Sequence, residues 1–182
     1  MSNTVARPVA AARPLLASVA IVLALSILIA GSARVQVPFW PVPMTLQTLA
    51  VLTIAGFGGV RIAGAAMLAY LVEGMSGLPV FAGGGGLAYV AGPTGGYRLG
   101  MLAASVVSGA LVRRAAGRAL PTAAAMLLGT ALVYVAGAAW LARFVGADRV
   151  LALGVLPFVA GDVVKALLAT TLVLAAGRGR RA

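Results

Sequence analysis

The segment Leu156-Pro-Phe-Val-Ala-Gly-Asp-Val-Val-Lys-Ala-Leu-Leu-Ala-Thr-Thr-Leu-Val-Leu174 carries only two charged side chains, Asp162 and Lys165. Its apolar character predicts a helix in a membrane, where an ionised side chain is costly and usually faces a polar cavity with a function. Residues three apart project from one helix face, so both side chains address the same small volume. This pattern predicts half of a ligand site. The alternative is an internal ion pair that only neutralises itself.

The composition is that of an integral membrane protein. Apolar residues make up 62% of the 182 residues and charged residues only 9%, whereas roughly a quarter of a soluble chain is charged. The chain contains no cysteine and no histidine, which removes thiolate metal sites, the commonest metal ligand and the usual general base. The sequence therefore predicts no metal site, no catalytic residue and no cofactor.

The apolar runs predict an all-α integral membrane protein, with one domain over residues 1–182 that is a single bundle of six transmembrane helices. We expect these helices at about 15–33, 45–59, 61–76, 97–112, 120–143 and 157–177. Arg61 alone marks the boundary between helices two and three. Arg7 and Arg13 before the first run also imitate a secretory signal peptide, but that run is long for one and five further spans follow.

The arginines predict the orientation in the membrane. With the N-terminus inside, nine arginines fall on the inner side and four on the outer side, which follows the positive-inside rule. This spread along the chain also argues against nucleic-acid binding, despite the net charge of +11. Both termini are then cytoplasmic, and Asp162 and Lys165 lie toward the outer face. The inner arginines are Arg7, Arg13, Arg61, Arg113, Arg114, Arg118, Arg178, Arg180 and Arg181; the outer ones are Arg34, Arg98, Arg143 and Arg149.

Two outer loops are unusual. Loop one, residues 34–44, contains three prolines and two large aromatic residues, which predicts an ordered, non-helical cap. Loop three, residues 77–96, is apolar yet rich in glycine and proline. Such a segment predicts backbone that folds back into the protein and lines a cavity. No Gly-Lys-Ser/Thr follows its glycine runs, so nucleotide hydrolysis by this chain is not expected.

Three further residues are candidates for the site, each with an alternative. Arg98 at the start of helix four can hold a carboxylate through two hydrogen bonds, or it can reach lipid phosphate at the interface. Tyr97 can line a pocket or belong to an anchoring aromatic belt. Gln47 can face the cavity or act near the start of helix two as a cap residue. Glu73 is interpreted as an interfacial residue at the end of helix three.

Four segments together resemble one family, the BioY biotin transporters, which are the substrate-binding S components of energy-coupling-factor (ECF) transporters. In chain order the segments are Val37-Pro-Phe-Trp-Pro-Val-Pro-Met-Thr-Leu-Gln-Thr48, Gly77-Leu-Pro-Val-Phe-Ala-Gly83, Gly92-Pro-Thr-Gly-Gly-Tyr97 and Leu156-Pro-Phe-Val-Ala-Gly-Asp-Val-Val-Lys165. The resemblance extends from helix one to helix six.

The resemblance implies a vitamin pocket at the outer side, roofed by loops one and three. Biotin has a ureido ring with two N–H donors and a carbonyl, and a tail that ends in a carboxylate. Asp162 is then expected to accept from a ureido N–H, Lys165 to donate to the carbonyl and Arg98 to pair with the carboxylate. Some relatives place an amide side chain in the region of Val80-Phe-Ala-Gly83, where this chain has only glycine at Gly83, so backbone groups are expected to substitute.

Together these features predict biotin uptake at the cell membrane by a multi-pass S component, not an enzyme. The resemblance implies a transmembrane T component and ABC-type ATPase subunits as partners. Ala20 and Ala24 on helix one form a small-xxx-small pair that can admit a partner helix or serve packing within the chain. The alternatives are a solitary vitamin carrier, an S component for another small vitamin, an intramembrane enzyme and a structural scaffold.

Overall fold

A computed structural model describes residues 7–179 of the chain and the side chains of residues 15–177. Arg180 and Arg181, and the side chains of Arg7, Arg13 and Arg178, on which part of the orientation argument depends, lie outside this described part. The elements in chain order are α1 (Arg7–Arg34), β1 (Gln36–Val37), β2 (Met44–Thr45), α2 (Gln47–Met75), α3 (Leu87–Ala91), α4 (Gly95–Ala115), α5 (Ala119–Val145), α6 (Val150–Gly154) and α7 (Leu156–Gly179).

Five of these helices are long and apolar enough to cross a membrane. One of the five, α2, is a hairpin of two helical arms rather than a straight helix. Gly59 interrupts it with φ 64° and ψ −170°, a conformation open mainly to glycine. The side-chain nitrogen of Gln47 lies 2.8 Å from the Tyr70 hydroxyl, although 23 residues of straight helix would separate them by about 35 Å. The two arms, 47–58 and 60–75, therefore run antiparallel, and the predicted six-helix bundle is confirmed.

The predicted boundaries are close to the observed ones. Helix α1 begins at Arg7 rather than near residue 15, and the other bounds differ by at most three residues. The short helices α3 and α6 were not predicted, because five-residue helices between glycines leave little periodic signal.

Helix α4 lies at the centre of the bundle, packed against α2 and α5. Its buried positions include Ala104, Ser105, Ser108 and Gly109, and such small side chains let helix backbones approach closely in lipid. Helix α1 packs mainly on α2. It is the most exposed span, since only 11% of the residues in its apolar stretch are buried. The bundle core is thus built around α4, with α1 at its edge.

Glu73 helps to hold α1 on the bundle. Its carboxylate accepts a hydrogen bond of 2.7 Å from Ser26, a fully buried residue of α1. Glu73 is itself half-buried. The interpretation of Glu73 as only an interfacial residue was incomplete, because sequence position near a helix end does not reveal which neighbouring helix the side chain faces.

The two unusual loops are ordered and cover one end of the bundle. Loop one forms a short antiparallel pair in which Gln36 lies opposite Thr45. Loop three turns back at an antiparallel bridge between Phe81 and Gly84, and Phe81 is fully buried. The Arg34 side chain donates to the Pro79 carbonyl and so ties the two loops together. Loop one therefore has the ordered, non-helical character predicted for it, and loop three folds back as predicted.

Candidate ligand-binding site

A cavity opens beneath these loops, between α2, α4, α5 and α7. Its lining combines apolar walls with a few buried polar groups, as is usual for small-molecule sites. The lining residues are Val42, Pro43, Met44, Thr45, Gln47, Thr48, Ala82, Thr94, Tyr97, Arg98, Met101, Val133, Tyr134, Phe158, Asp162 and Lys165.

Asp162 and Lys165 form an ion pair on the wall of this cavity. The Lys165 ammonium lies 2.8 Å from one carboxylate oxygen of Asp162, and the two side chains are only 10% and 7% exposed. Lys165 also donates to the backbone carbonyl of Thr45 at 2.7 Å. The pair arises because the i, i+3 spacing places both side chains on the face of α7 that meets α2 and α5. Pairing lowers the cost of burying both charges, and the cavity lies beside them.

Tyr134 on α5 completes the environment of Asp162. Its hydroxyl donates to the second carboxylate oxygen at 2.7 Å. Tyr134 was not among the residues predicted for the site. A signal was present, because a tyrosine in the middle of an apolar span needs a partner for its hydroxyl. The backbone carbonyl of Thr45 was also missed, and no side-chain pattern could have indicated it.

Arg98 on α4 is a buried cation that also lines the cavity. It is 5% exposed, and its side chain donates to the Thr94 hydroxyl at 2.8 Å, while its Nε has no hydrogen-bond partner. No described carboxylate lies within ion-pair distance of it. This burial does not fit an interfacial arginine that reaches lipid phosphate. An unpaired guanidinium with free donors is suited to bind an anionic group.

Gln47 and Tyr97 also line the cavity, and both have partners within the protein. The Gln47 side chain donates to Tyr70 at 2.8 Å, and the Tyr97 hydroxyl donates to the Gly154 carbonyl at 2.7 Å. Tyr97 is 7% exposed, so it does not belong to a surface belt. With its hydroxyl occupied, Tyr97 offers the cavity an aromatic wall.

Gly83 is the predicted site residue that does not line the cavity. Its backbone N–H donates to the Tyr89 hydroxyl at 2.8 Å within loop three. The neighbouring Ala82 lines the cavity instead. The structure thus brings together Asp162, Lys165, Arg98, Tyr97 and Gln47, which come from three helices, and leaves Gly83 outside that group.

Comparison with known proteins identifies the family. The model of the BioY family matches residues 2–182. The chain belongs to the BioY family. It is 39% identical to the "Probable biotin transporter BioY" of Pyrococcus horikoshii, over 79% of this chain and 84% of the relative. It is 37% identical to the "Biotin transporter BioY2" of Lactococcus lactis subsp. cremoris, over 81% of this chain and 83% of the relative.

The fold agrees with a solved structure, the crystal structure of the S-component for biotin from an ECF-type ABC transporter. The two align with a TM-score of 0.80 over 91% of this chain and 93% of the other, at 24% sequence identity. The apolar helices and the family together identify a multi-pass membrane protein.

Proposed function

We propose that this chain is the substrate-capture (S) component of a biotin uptake system in the cell membrane. The observation that carries the proposal is the arrangement of charge around one cavity. A paired aspartate and lysine lie on one wall, and an unpaired arginine lies on another. Biotin has the complementary groups, a ureido ring at one end and a carboxylate at the other. BioY relatives that are named as biotin transporters support the same substrate.

The head of the ligand fits the Asp162 and Lys165 wall. An ammonium has three donors, and Lys165 uses two of them on Asp162 and the Thr45 carbonyl. The third is available for the ureido carbonyl. Asp162 accepts from Tyr134 and Lys165, and a carboxylate has about four acceptor positions. It therefore retains capacity for a ureido N–H.

The tail of the ligand fits the Arg98 wall. A carboxylate there would receive hydrogen bonds from the terminal N–H groups of the guanidinium, in the bidentate geometry that arginine favours. Met101, Val133 and Phe158 line the same cavity. These apolar side chains are suited to contact the sulfur-containing ring and the tail methylenes.

Delivery across the membrane requires partners, which we propose to be a T component and ABC-type ATPase subunits. Ala20 and Ala24 are exposed on α1, the most exposed span, where a partner helix could approach closely.

The cavity opens at the end of the bundle that carries Arg34 and Arg98. The arginine distribution makes that end the outer one, so biotin enters from outside and both termini are cytoplasmic.

Calorimetric titration of the purified protein with biotin tests the proposal. We expect saturable binding, and we expect Asp162→Asn or Lys165→Ala to weaken it by about 2 kcal/mol or more, because each leaves a buried polar partner unpaired. Val164→Ala is the matched control, since Val164 lies on the same helix and is 56% exposed. Unchanged affinity in both site variants would refute the placement of the ureido ring.

The partner requirement is tested separately by uptake of labelled biotin in cells. Uptake that depends on co-expressed T and ATPase subunits is the expected result. Equal uptake without them would identify a solitary carrier. Tight binding of a different vitamin, with none of biotin, would identify another substrate.

A further inference from the structure

Two aromatic rings of loop three hold the guanidinium of Arg98. The rings of Phe81 and Tyr89 are stacked, with centroids 5.6 Å apart and planes at 17°. The guanidinium carbon of Arg98 lies 4.3 Å from the centroid of Phe81 and 4.6 Å from that of Tyr89. Neither ring lines the cavity, so a ligand in the cavity would meet the arginine and not the rings.

Loop three and α2 fix the position of Phe81. The ring packs edge-to-face on Tyr70 with centroids 5.3 Å apart. It also lies directly over Gly74, where an added Cβ would overlap it. Phe81 pairs through its backbone with Gly84. A ring held by these contacts has little freedom to follow the arginine, so the arginine must adapt to the ring.

Tyr89 is fixed from the other side of the loop. Its hydroxyl accepts the Gly83 N–H at 2.8 Å, and this bond crosses the turn of loop three. Gly83 lies outside the cavity, but through this bond it helps to position a ring that contacts Arg98.

Arg98 has few other interactions to orient it. It donates to the Thr94 hydroxyl, the Tyr70 hydroxyl is close enough to interact with it, and no described carboxylate neutralises it. A desolvated cation gains from aromatic faces, and guanidinium groups stack on them readily. The two rings therefore add two fixed aromatic faces to the contacts that orient this side chain.

We propose that Phe81 and Tyr89 are positioning residues that aim Arg98 at the ligand carboxylate, and that they thereby determine the preference for an ionised acid over its neutral amide. This inference rests on the proposed function. A guanidinium released from the rings would still be charged, but its donors would no longer be held in the bidentate geometry.

The test compares the affinities for biotin and for its primary amide, biotinamide, in purified protein. We expect the wild type to prefer the acid and Arg98→Ala to abolish the preference. Phe81→Leu and Tyr89→Leu should each reduce the ratio of acid to amide affinity by about 3- to 30-fold, the range of cation–π contacts from exposed to desolvated sites. Biotinamide affinity should hardly change. Tyr89→Phe keeps the ring but loses the bond to Gly83, so it should reduce the ratio less than Tyr89→Leu does.

The outcomes separate the two proposals. If Arg98→Ala abolishes the preference and the leucine variants leave it intact, the positioning role is refuted and the proposed function stands. An equal loss for both ligands in the leucine variants also refutes it, since it indicates a purely structural role. A wild type that binds no biotin refutes the proposed function, and the positioning role falls with it. If Phe81→Leu does not fold, Tyr89→Leu against Tyr89→Phe decides alone.

Discussion

Substitutions can distinguish what the Asp162–Lys165 ion pair contributes to stability from what it contributes to ligand binding. Replacing only Asp162 or only Lys165 by a neutral residue leaves the other charge buried, which is expected to cost about 3–5 kcal/mol of stability. The double variant Asp162→Asn with Lys165→Met removes both charges at once. A buried ion pair that is replaced by neutral groups of similar size is often tolerated, and Tyr134 can still donate to the asparagine oxygen.

We therefore expect the double variant to regain most of the lost stability but not the binding. The bond from Lys165 to the Thr45 carbonyl, 2.7 Å long, is lost, so a residual deficit of about 1 kcal/mol remains. Biotin affinity should stay at least about 30-fold below that of the wild type, because the head of the ligand loses its charged acceptor and donor.

Thermal unfolding in detergent and calorimetric titration measure the two quantities on the same preparations. Val164→Ala again controls for general effects of substitution on α7. A double variant that binds biotin as tightly as the wild type would refute the reasoning, since the pair would then serve only the fold. A double variant no more stable than the single variants would contradict the expectation that the single variants lose stability because one buried charge is left without its partner.

Three further predictions follow from individual contacts. Gly74→Ala should weaken biotin binding, because its new methyl group displaces the Phe81 ring; titration measures this, and unchanged affinity would show that loop three does not depend on that contact. Tyr97→Phe should lower stability by about 1 kcal/mol through loss of one buried hydrogen bond while affinity changes less than about threefold, as unfolding and titration can check. Ala20→Leu should block partner-dependent uptake and leave binding by the isolated chain intact; normal uptake would place the partner interface elsewhere.

The sequence predicts the membrane bundle well because its signal is local. Runs of apolar residues mark the helices, and the i, i+3 spacing of Asp162 and Lys165 is enough to place them on one face. The hairpin at Gly59 was predicted as two helices because Arg61 and nearby glycines interrupt the run. In each case the evidence lies within one turn or one helix of the chain.

Contacts between distant segments could not be predicted in the same way. Tyr134 reaches Asp162 across 28 residues of sequence, and this depends on how α5 is rotated about its axis. The partners of Arg98 lie in loop three, where glycines remove any periodic pattern. Gly83 was expected at the cavity, but the turn at Phe81 and Gly84 directs its N–H to Tyr89 instead. Such details depend on tertiary packing, which sequence patterning does not encode locally.

A structure of the protein with bound biotin tests the account most directly. We expect the ureido ring within hydrogen-bond distance, about 3 Å, of both Asp162 and Lys165, with the tail carboxylate at Arg98. Biotin bound outside this cavity, or with its carboxylate at Lys165 and its ureido ring away from Asp162, would contradict it.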